Sequence, residues 1–283
     1  MKGANPTMLA RPLSSCRRAL PQGPALITGA SSGIGAAFAR RLAARGCDLL
    51  LVARRGDRLA ALAAELRDRH GVRAEPLPLD LTAEADLAAL EQRFYGGADL
   101  SWLIHAAGFG TRGRFVDQGP PTLQAQLRLH AEAALRLTRA VLPGMVARGN
   151  GALVLVSSLA SFFSSTHYTS YSATKAYLNM LVEGLRDELA GSGVTAQALC
   201  PGLTRTGFFD SPSHGGFAYT QVPALFWQQP AQVVDESLHA LARGRSLCIP
   251  GRHNRAFFGA MHTPGLGRLL ATGLGWLSRL QKR

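Results

Sequence analysis

The chain has 283 residues, of which 47% are hydrophobic and 17% charged, and it carries a formal net charge of +13. Those proportions fit a globular protein with a substantial core and exclude a disordered or fibrous chain. No apolar run reaches the ~18 residues that would span a bilayer, and Cys16, Cys47, Cys200 and Cys248 are too scattered for a metal or redox motif.

Taken in chain order, residues 1–21 read as a flexible basic tail, with Lys2, Arg11, Arg17 and Arg18 and no acid before residue 21. Ala25 to Thr28 is a short apolar strand, and residues 34–45 follow with helical spacing. A second buried run covers 47–52, and Leu59, Leu62, Ala63 and Leu66 mark the next helix. A third strand over 74–79 precedes a helix over 83–94, and a fourth strand covers 100–105. One long helix is expected over 122–147, then a strand over 151–156. A helix over 169–190 and a strand over 194–199 come next, then a helix over 230–243 and a strand over 246–249. Apolar strands alternating with amphipathic helices predict an α/β Rossmann-type fold, a doubly wound parallel sheet of about seven strands with helices on both faces. No linker divides 22–250, which reads as one domain. Its 21 basic and 18 acidic residues over 21–250 give no nucleic-acid-binding surface. Residues 251–283 form a basic extension in which Leu266, Leu269, Leu270, Leu274, Leu277 and Leu280 share one helical arc. Such a helix can lie on an anionic membrane or dock on protein, so peripheral membrane contact through 257–283 is one expectation. Cysteine usage points to a reducing, cytoplasmic setting, and no metal is expected.

The turn after the first strand reads Thr28-Gly29-Ala30-Ser31-Ser32-Gly33-Ile34-Gly35. Glycines between a strand and a helix allow a tight turn and close approach of backbone to a pyrophosphate, which then faces the helix N-terminus. After the second strand the chain reads Val52-Ala53-Arg54-Arg55. An acid there would bond a ribose 2′-hydroxyl; arginines there accept a 2′-phosphate, so NADP(H) is favoured. Asp80 either accepts from the adenine amino group or caps the following helix. Tyr171 and Lys175 are four apart, hence on one helical face. An ammonium beside a phenol is expected to lower its pKa from ~10 towards neutrality, as a general acid/base needs. Ser158 can hold a carbonyl or alcohol oxygen beside them.

These motifs, in this order, resemble the short-chain dehydrogenase/reductase family over about residues 22–250. The resemblance rests on the glycine turn, Asp80-Leu81-Thr82, Ala106-Ala107-Gly108, Ser158, Tyr171-x3-Lys175, and Pro201-Gly202 with Thr204 and Thr206. It implies an NADP-dependent, ketoreductase-like enzyme acting on CH–OH groups. Tyr171 would be the proton donor, Lys175 would depress its pKa and bond the nicotinamide ribose, and Ser158 would orient the substrate. The cofactor would lie along Gly29, Ser31, Ser32, Gly33, Ile34 and Gly35, then Arg54, Arg55, Asp80 and Leu81. It would continue past Ala106, Ala107 and Gly108 to Pro201, Gly202, Thr204 and Thr206. Ser157 and Tyr168 fall outside the family spacing.

Two positions depart from the family. His105 stands where an asparagine is usual, and a tie to neighbouring strands is expected to be lost with it. His130 occupies the position of the catalytic asparagine, either as a tolerated replacement or as a titrating member of the proton relay. Residues 207–228, rich in aromatics, correspond to the substrate lid. Phe109, Phe208, Phe209, Phe217 and Trp227 would line the pocket with Ser158, which implies a hydrophobic carbonyl or alcohol. A homodimer or homotetramer is expected. The alternatives are a non-catalytic NADP(H)-binding regulator or scaffold, and a dehydratase or epimerase on the same fold.

Overall fold

The computed structural model describes residues 18–95, 99–163, 167–208 and 222–263. Phe209, Phe217, the remainder of the lid over 209–221, the leucine arc after 263 and the tail over 1–17 lie outside the described residues. Residues 18–21, expected in that tail, are tied to the body. Arg18 N donates to the Ala242 carbonyl at 2.8 Å, and Trp102 Nε1 to the Pro21 carbonyl at 3.1 Å.

Strands and helices alternate as their periodicity requires. β1 (Ala25–Thr28), α1 (Gly33–Ala43), β2 (Leu49–Ala53), α2 (Gly56–His70), β3 (Ala74–Pro78), α3 (Glu84–Phe94) and β4 (Trp102–His105) form the first half. α4 (Pro120–Leu127), α5 (Ala133–Ala147), β5 (Gly151–Val156), α6 (Thr169–Glu188), β6 (Val194–Leu199), α7 (Pro230–Leu241), β7 (Leu247–Cys248) and α8 (Arg252–His262) follow. The seven strands make one sheet in the order β3-β2-β1-β4-β5-β6-β7, and every neighbouring pair is parallel. Prolines at the first turns of α4 and α7 start those helices where their missing N–H groups are not needed.

Helices cover both faces. Ile27, Phe38, Leu42, Leu51 and Val233 pack on one side, and Leu26, Leu103, Leu137, Val141 and Leu178 on the other. Each such side chain contributes roughly 1.5–3 kcal/mol when fully buried. Burial on two faces is why β5 is covered at all positions and its sequence is an unbroken apolar run. The chain order reverses at β1, which has β2 on one side and β4 on the other. Crevices at the carboxyl ends of such neighbouring strands are where open α/β sheets bind ligands.

Two features differ from the periodicity. The helix expected over 122–147 is α4 and α5 joined by a π-turn over Arg128–Glu132. The wider turn carries His130 inward to complete burial, and π-turns inside helices frequently accompany functional sites. The chain also continues as packed structure beyond 250. In α8, the Phe258 ring stands 4.6 Å from that of Phe162, and Asn254 Nδ2 donates to the Pro250 carbonyl at 2.7 Å. The start of the segment expected at a membrane is thus packed on protein. Among the described residues no helix is long and apolar enough to cross a membrane.

Candidate active site

The glycine turn closes the crevice between β1 and β4. A Cβ at Gly29, where φ is +67°, would stand 2.7 Å from the Ala106 carbonyl carbon and the Ala107 nitrogen. Gly33, at φ +56°, packs so closely on Thr206 that a Cβ would meet its methyl at 2.8 Å. Thr206 therefore abuts the glycine turn. No acid lies in the first turn of α1, so its N-terminal dipole has no carboxylate of its own there.

Arg55 reaches this turn directly. Its Nη2 donates to Ser31 Oγ and Ser32 Oγ, both at 2.8 Å. Burial, then the like charges of Arg58 and Arg54, hold its guanidinium below the usual range. Arg54 is 70% exposed and makes only a 3.9 Å contact with Asp80 Oδ2, a pair worth little in water. Asp80 is neither free nor a helix cap: its Oδ1 accepts from Thr82 N at 2.9 Å and Thr82 Oγ1 at 2.8 Å, and α3 begins after Ala83. Leu81 turns into the core. A cavity of about 710 Å³ opens beside the turn, lined by Ser31, Ser32, Gly33, Arg205, Thr206 and the start of α7 among others. A helix N-terminus, two serine hydroxyls and a crowded guanidinium form a donor set that fits a phosphorylated dinucleotide.

At the other end of the crevice β5 delivers the two serines. Ser157 is buried and donates to the Lys175 carbonyl at 2.8 Å, which makes it a tie to α6. Ser158 leaves β5 in extended conformation and stays partly open to solvent. Leu159 N donates to the Pro201 carbonyl at 2.9 Å, joining the serine loop to the motif after β6. Asn254 of α8 packs against Gly202 so tightly that any Cβ there would overlap its amide. Thr204 Oγ1 donates to the Gly202 carbonyl at 3.0 Å.

Tyr171 and Lys175 share a face of α6, as their spacing requires. The Tyr171 ring lies 5.8 Å from His130, 5.6 Å from Phe208 and 6.3 Å from Tyr168. Burial pushes its phenol up to about 12, against the hydrogen bond with Ser158, which lowers it. The expected direction is reversed here, and the reason is geometric. Lys175 Nζ donates to the Val156 carbonyl at 2.8 Å and stands 5.8 Å from the ring centroid. Burial also pulls Lys175 down to about 7, so the amine facing this protonated phenol gives up its charge more readily than a free lysine. That phenol is in the state needed to give a proton.

The loop after β4 passes behind this pair. Phe109 N donates to His130 Nε2 at 3.1 Å, and the two rings are 5.9 Å apart. His130 Nδ1 meets Thr174 Oγ1 at 2.9 Å. The strand tie expected to be lost at His105 is rebuilt by the imidazole, which contacts Thr28 Oγ1 and the Leu129 carbonyl, each at 3.0 Å. Phe208 faces Tyr171, whereas Trp227 is buried and donates its indole N–H to the Val222 carbonyl at 3.2 Å. Thr28, Thr174 and Asn254 carry contacts in this site that their sequence positions did not signal. Among the described residues there is no cluster of side chains suited to a metal ion.

Fold and site together define a nucleotide-dependent oxidoreductase of the doubly wound α/β class. Residues 24–214 match the family described as short chain dehydrogenase, and the chain belongs to that family. An uncharacterized oxidoreductase of Bacillus subtilis is 33% identical over 225 residues, which are 78% of this chain and 92% of the relative. A short-chain dehydrogenase from Sphingobium yanoikuyae, solved in complex with NADPH, is 39% identical with a TM-score of 0.77, over 91% of this chain and 96% of that one. The bulky-bulky ketone specific alcohol dehydrogenase from Comamonas testosteroni is 32% identical with a TM-score of 0.73, over 90% and 93% of the two chains.

Proposed function

We propose that this chain is an NADP(H)-dependent oxidoreductase that interconverts a carbonyl and a secondary alcohol on a hydrophobic small molecule, with Tyr171 as general acid and base. The observation that carries the reading is the placement of the Tyr171 phenol beside Ser158 and on the same face of α6 as the buried Lys175. NADP(H) is supported by Arg55 on the glycine turn, by arginines rather than an acid at the two positions directly after β2, and by the NADPH complex of the Sphingobium relative.

NADPH, when bound, supplies the hydride that reduces the carbonyl carbon. Ser158 Oγ holds the substrate oxygen, and Tyr171 Oη gives it the proton as negative charge develops there. The balance is one carbonyl, one hydride and one proton to one alcohol. Lys175 attracts the phenolate left behind and favours its formation. In oxidation Tyr171 takes the proton back. Ser31, Ser32 and Arg55 would hold phosphate groups, and residues 106–108 would flank the dinucleotide. The rings of Phe109, Phe208 and Tyr168 give the substrate side its apolar character. A bulky ketone is consistent with the specificity of the Comamonas relative.

The test is NADPH consumption against a panel of bulky apolar ketones, with calorimetric binding of NADPH and NADH in parallel. Turnover with NADPH-selective binding is the expected result. Tight NADPH binding without turnover on any ketone would instead favour a non-catalytic regulator. Homo-oligomerisation is part of the proposal and is supported by exposed apolar side chains on α4, α5 and α6. Among the described residues, Cys47, Cys200 and Cys248 are buried free thiols, which support a cytoplasmic setting.

A further inference from the structure

We propose that His105 and His130 are a matched pair of positioning residues that pin the loop over residues 106–109 between the glycine turn and Lys175, each imidazole neutral and the two in opposite tautomers. The inference deepens the reading of Tyr171 and Lys175 given above and rests on it for its functional meaning, but not for its geometry.

Hydrogen-bond directions fix both rings. Ala107 N donates to Thr28 Oγ1 at 3.1 Å, so the Thr28 hydroxyl proton is free to go to His105 Nδ1, 3.0 Å away. The opposite nitrogen, Nε2, faces the Leu129 carbonyl at 3.0 Å. A carbonyl only accepts, so His105 carries its proton on Nε2. The second ring is fixed from its other end. Phe109 N donates to His130 Nε2 at 3.1 Å, which leaves that nitrogen as an acceptor. The proton is therefore on Nδ1 and goes to Thr174 Oγ1 at 2.9 Å; Thr174 passes its own to the Tyr171 carbonyl, also at 2.9 Å.

Together the two networks hold the backbone N–H on each side of Gly108. Gly108 itself has no room for a side chain: a Cβ would stand 2.9 Å from His130 Nε2 and 3.5 Å from Lys175 Nζ. His105 grips the π-turn at Leu129, the residue next to His130, so displacing one ring disturbs the seat of the other. Both histidines are 0% exposed. The charged or titratable groups facing His130 are Lys175, Tyr171 and His105, with none that is acidic at neutral pH. A second proton on His130 would point at the Phe109 N–H and face the lysine. This arrangement also removes His130 from a proton relay, because its acceptor nitrogen is filled by a backbone amide that has no proton to give.

Nitrogen-15 spectra of the full chain, labelled at histidine and free of cofactor, test the geometry. Assignment uses His105→Gln and His130→Gln, since the chain has eight histidines. The expected result is an Nε2–H tautomer for His105, an Nδ1–H tautomer for His130, and neither ring protonated between pH 6 and 8. Matching tautomers, or protonation of His130 in that range, would overturn the proposal. A second arm measures NADPH dissociation constants by calorimetry. His130→Leu, which cannot accept from Phe109 N, should weaken NADPH at least tenfold, and His130→Gln, which can accept, should recover most of that loss. Equal weakening in both variants would contradict a positioning role. If His130→Leu fails to fold, the wild-type spectra decide alone. If wild type binds no NADPH, the cofactor reading fails while the tautomers still stand or fall by the spectra.

Discussion

At the scale of single residues, spacing and burial carry different information. The identities of Tyr171, Lys175 and Ser158 were legible because a four-residue step on a helix and a serine at a strand end are local facts. The direction of the Tyr171 pKa was not, because burial depends on Phe208, Tyr168 and His130, which arrive from elsewhere in the chain. The His105 tie was hidden for the same reason: its partners Thr28 and Leu129 lie 77 and 24 residues away. Two predictions belong here. Arg55 has no carboxylate partner among the contacts at the glycine turn, so Arg55→Ala should weaken NADPH by about tenfold or more, the scale of a charge-assisted contact. NADH should change much less; equal loss of both in calorimetry would count against a 2′-phosphate contact. The second concerns pH. His105 is pulled down to about 4 by burial, whereas the unfolded chain has the ordinary value near 6.5. Between those values the unfolded state binds the extra proton, so stability rises with pH across ~4 to ~6.5 and falls as acid is added. The contribution is on the order of 3 kcal/mol. Urea unfolding from pH 4 to 8 should show this slope in wild type and a shallower one in His105→Gln.

At the scale of elements, β1 and β5 begin and end where their apolar runs do, since each is a short buried strand followed by a turn at Gly29 or Ser157. The break in the long helix escaped the pattern. The π-turn keeps apolar residues near helical spacing, and only the inward swing of His130 distinguishes it. α8 escaped for the opposite reason: its buried side chains are Asn254 and Phe258 alone, too few to write a periodicity. Its packing is nonetheless substantial. Phe258→Ala should destabilise the fold by about 3 kcal/mol, the usual cost of deleting a buried aromatic ring. Urea unfolding checks this, and a change below about 1 kcal/mol would show α8 to be loosely attached.

At the scale of the whole molecule, helices α4 to α6 leave Leu127 57%, Leu135 46% and Met180 63% exposed. Scattered apolar exposure is ordinary, and the proposed homo-oligomer would bury this set on adjacent helices. Light scattering should find a dimer or tetramer, and Leu135→Glu with Met180→Lys should shift it to a smaller species. The molecule otherwise divides its task between two ends of one crevice. The α1 end gathers Arg55 and two serine hydroxyls, the proposed phosphate site, and the α6 end presents the Tyr171 phenol among rings. The sheet order places both ends at the carboxyl edges of the central strands, so in the proposed reaction the hydride carrier and Tyr171 would share one cleft. The most direct test of that account compares wild type with Tyr171→Phe for NADPH oxidation on a bulky ketone that the wild type reduces. Removing the general acid should lower kcat by at least about a hundredfold while NADPH binding is retained. A Tyr171→Phe rate within tenfold of wild type would contradict the assignment of Tyr171 as the proton donor.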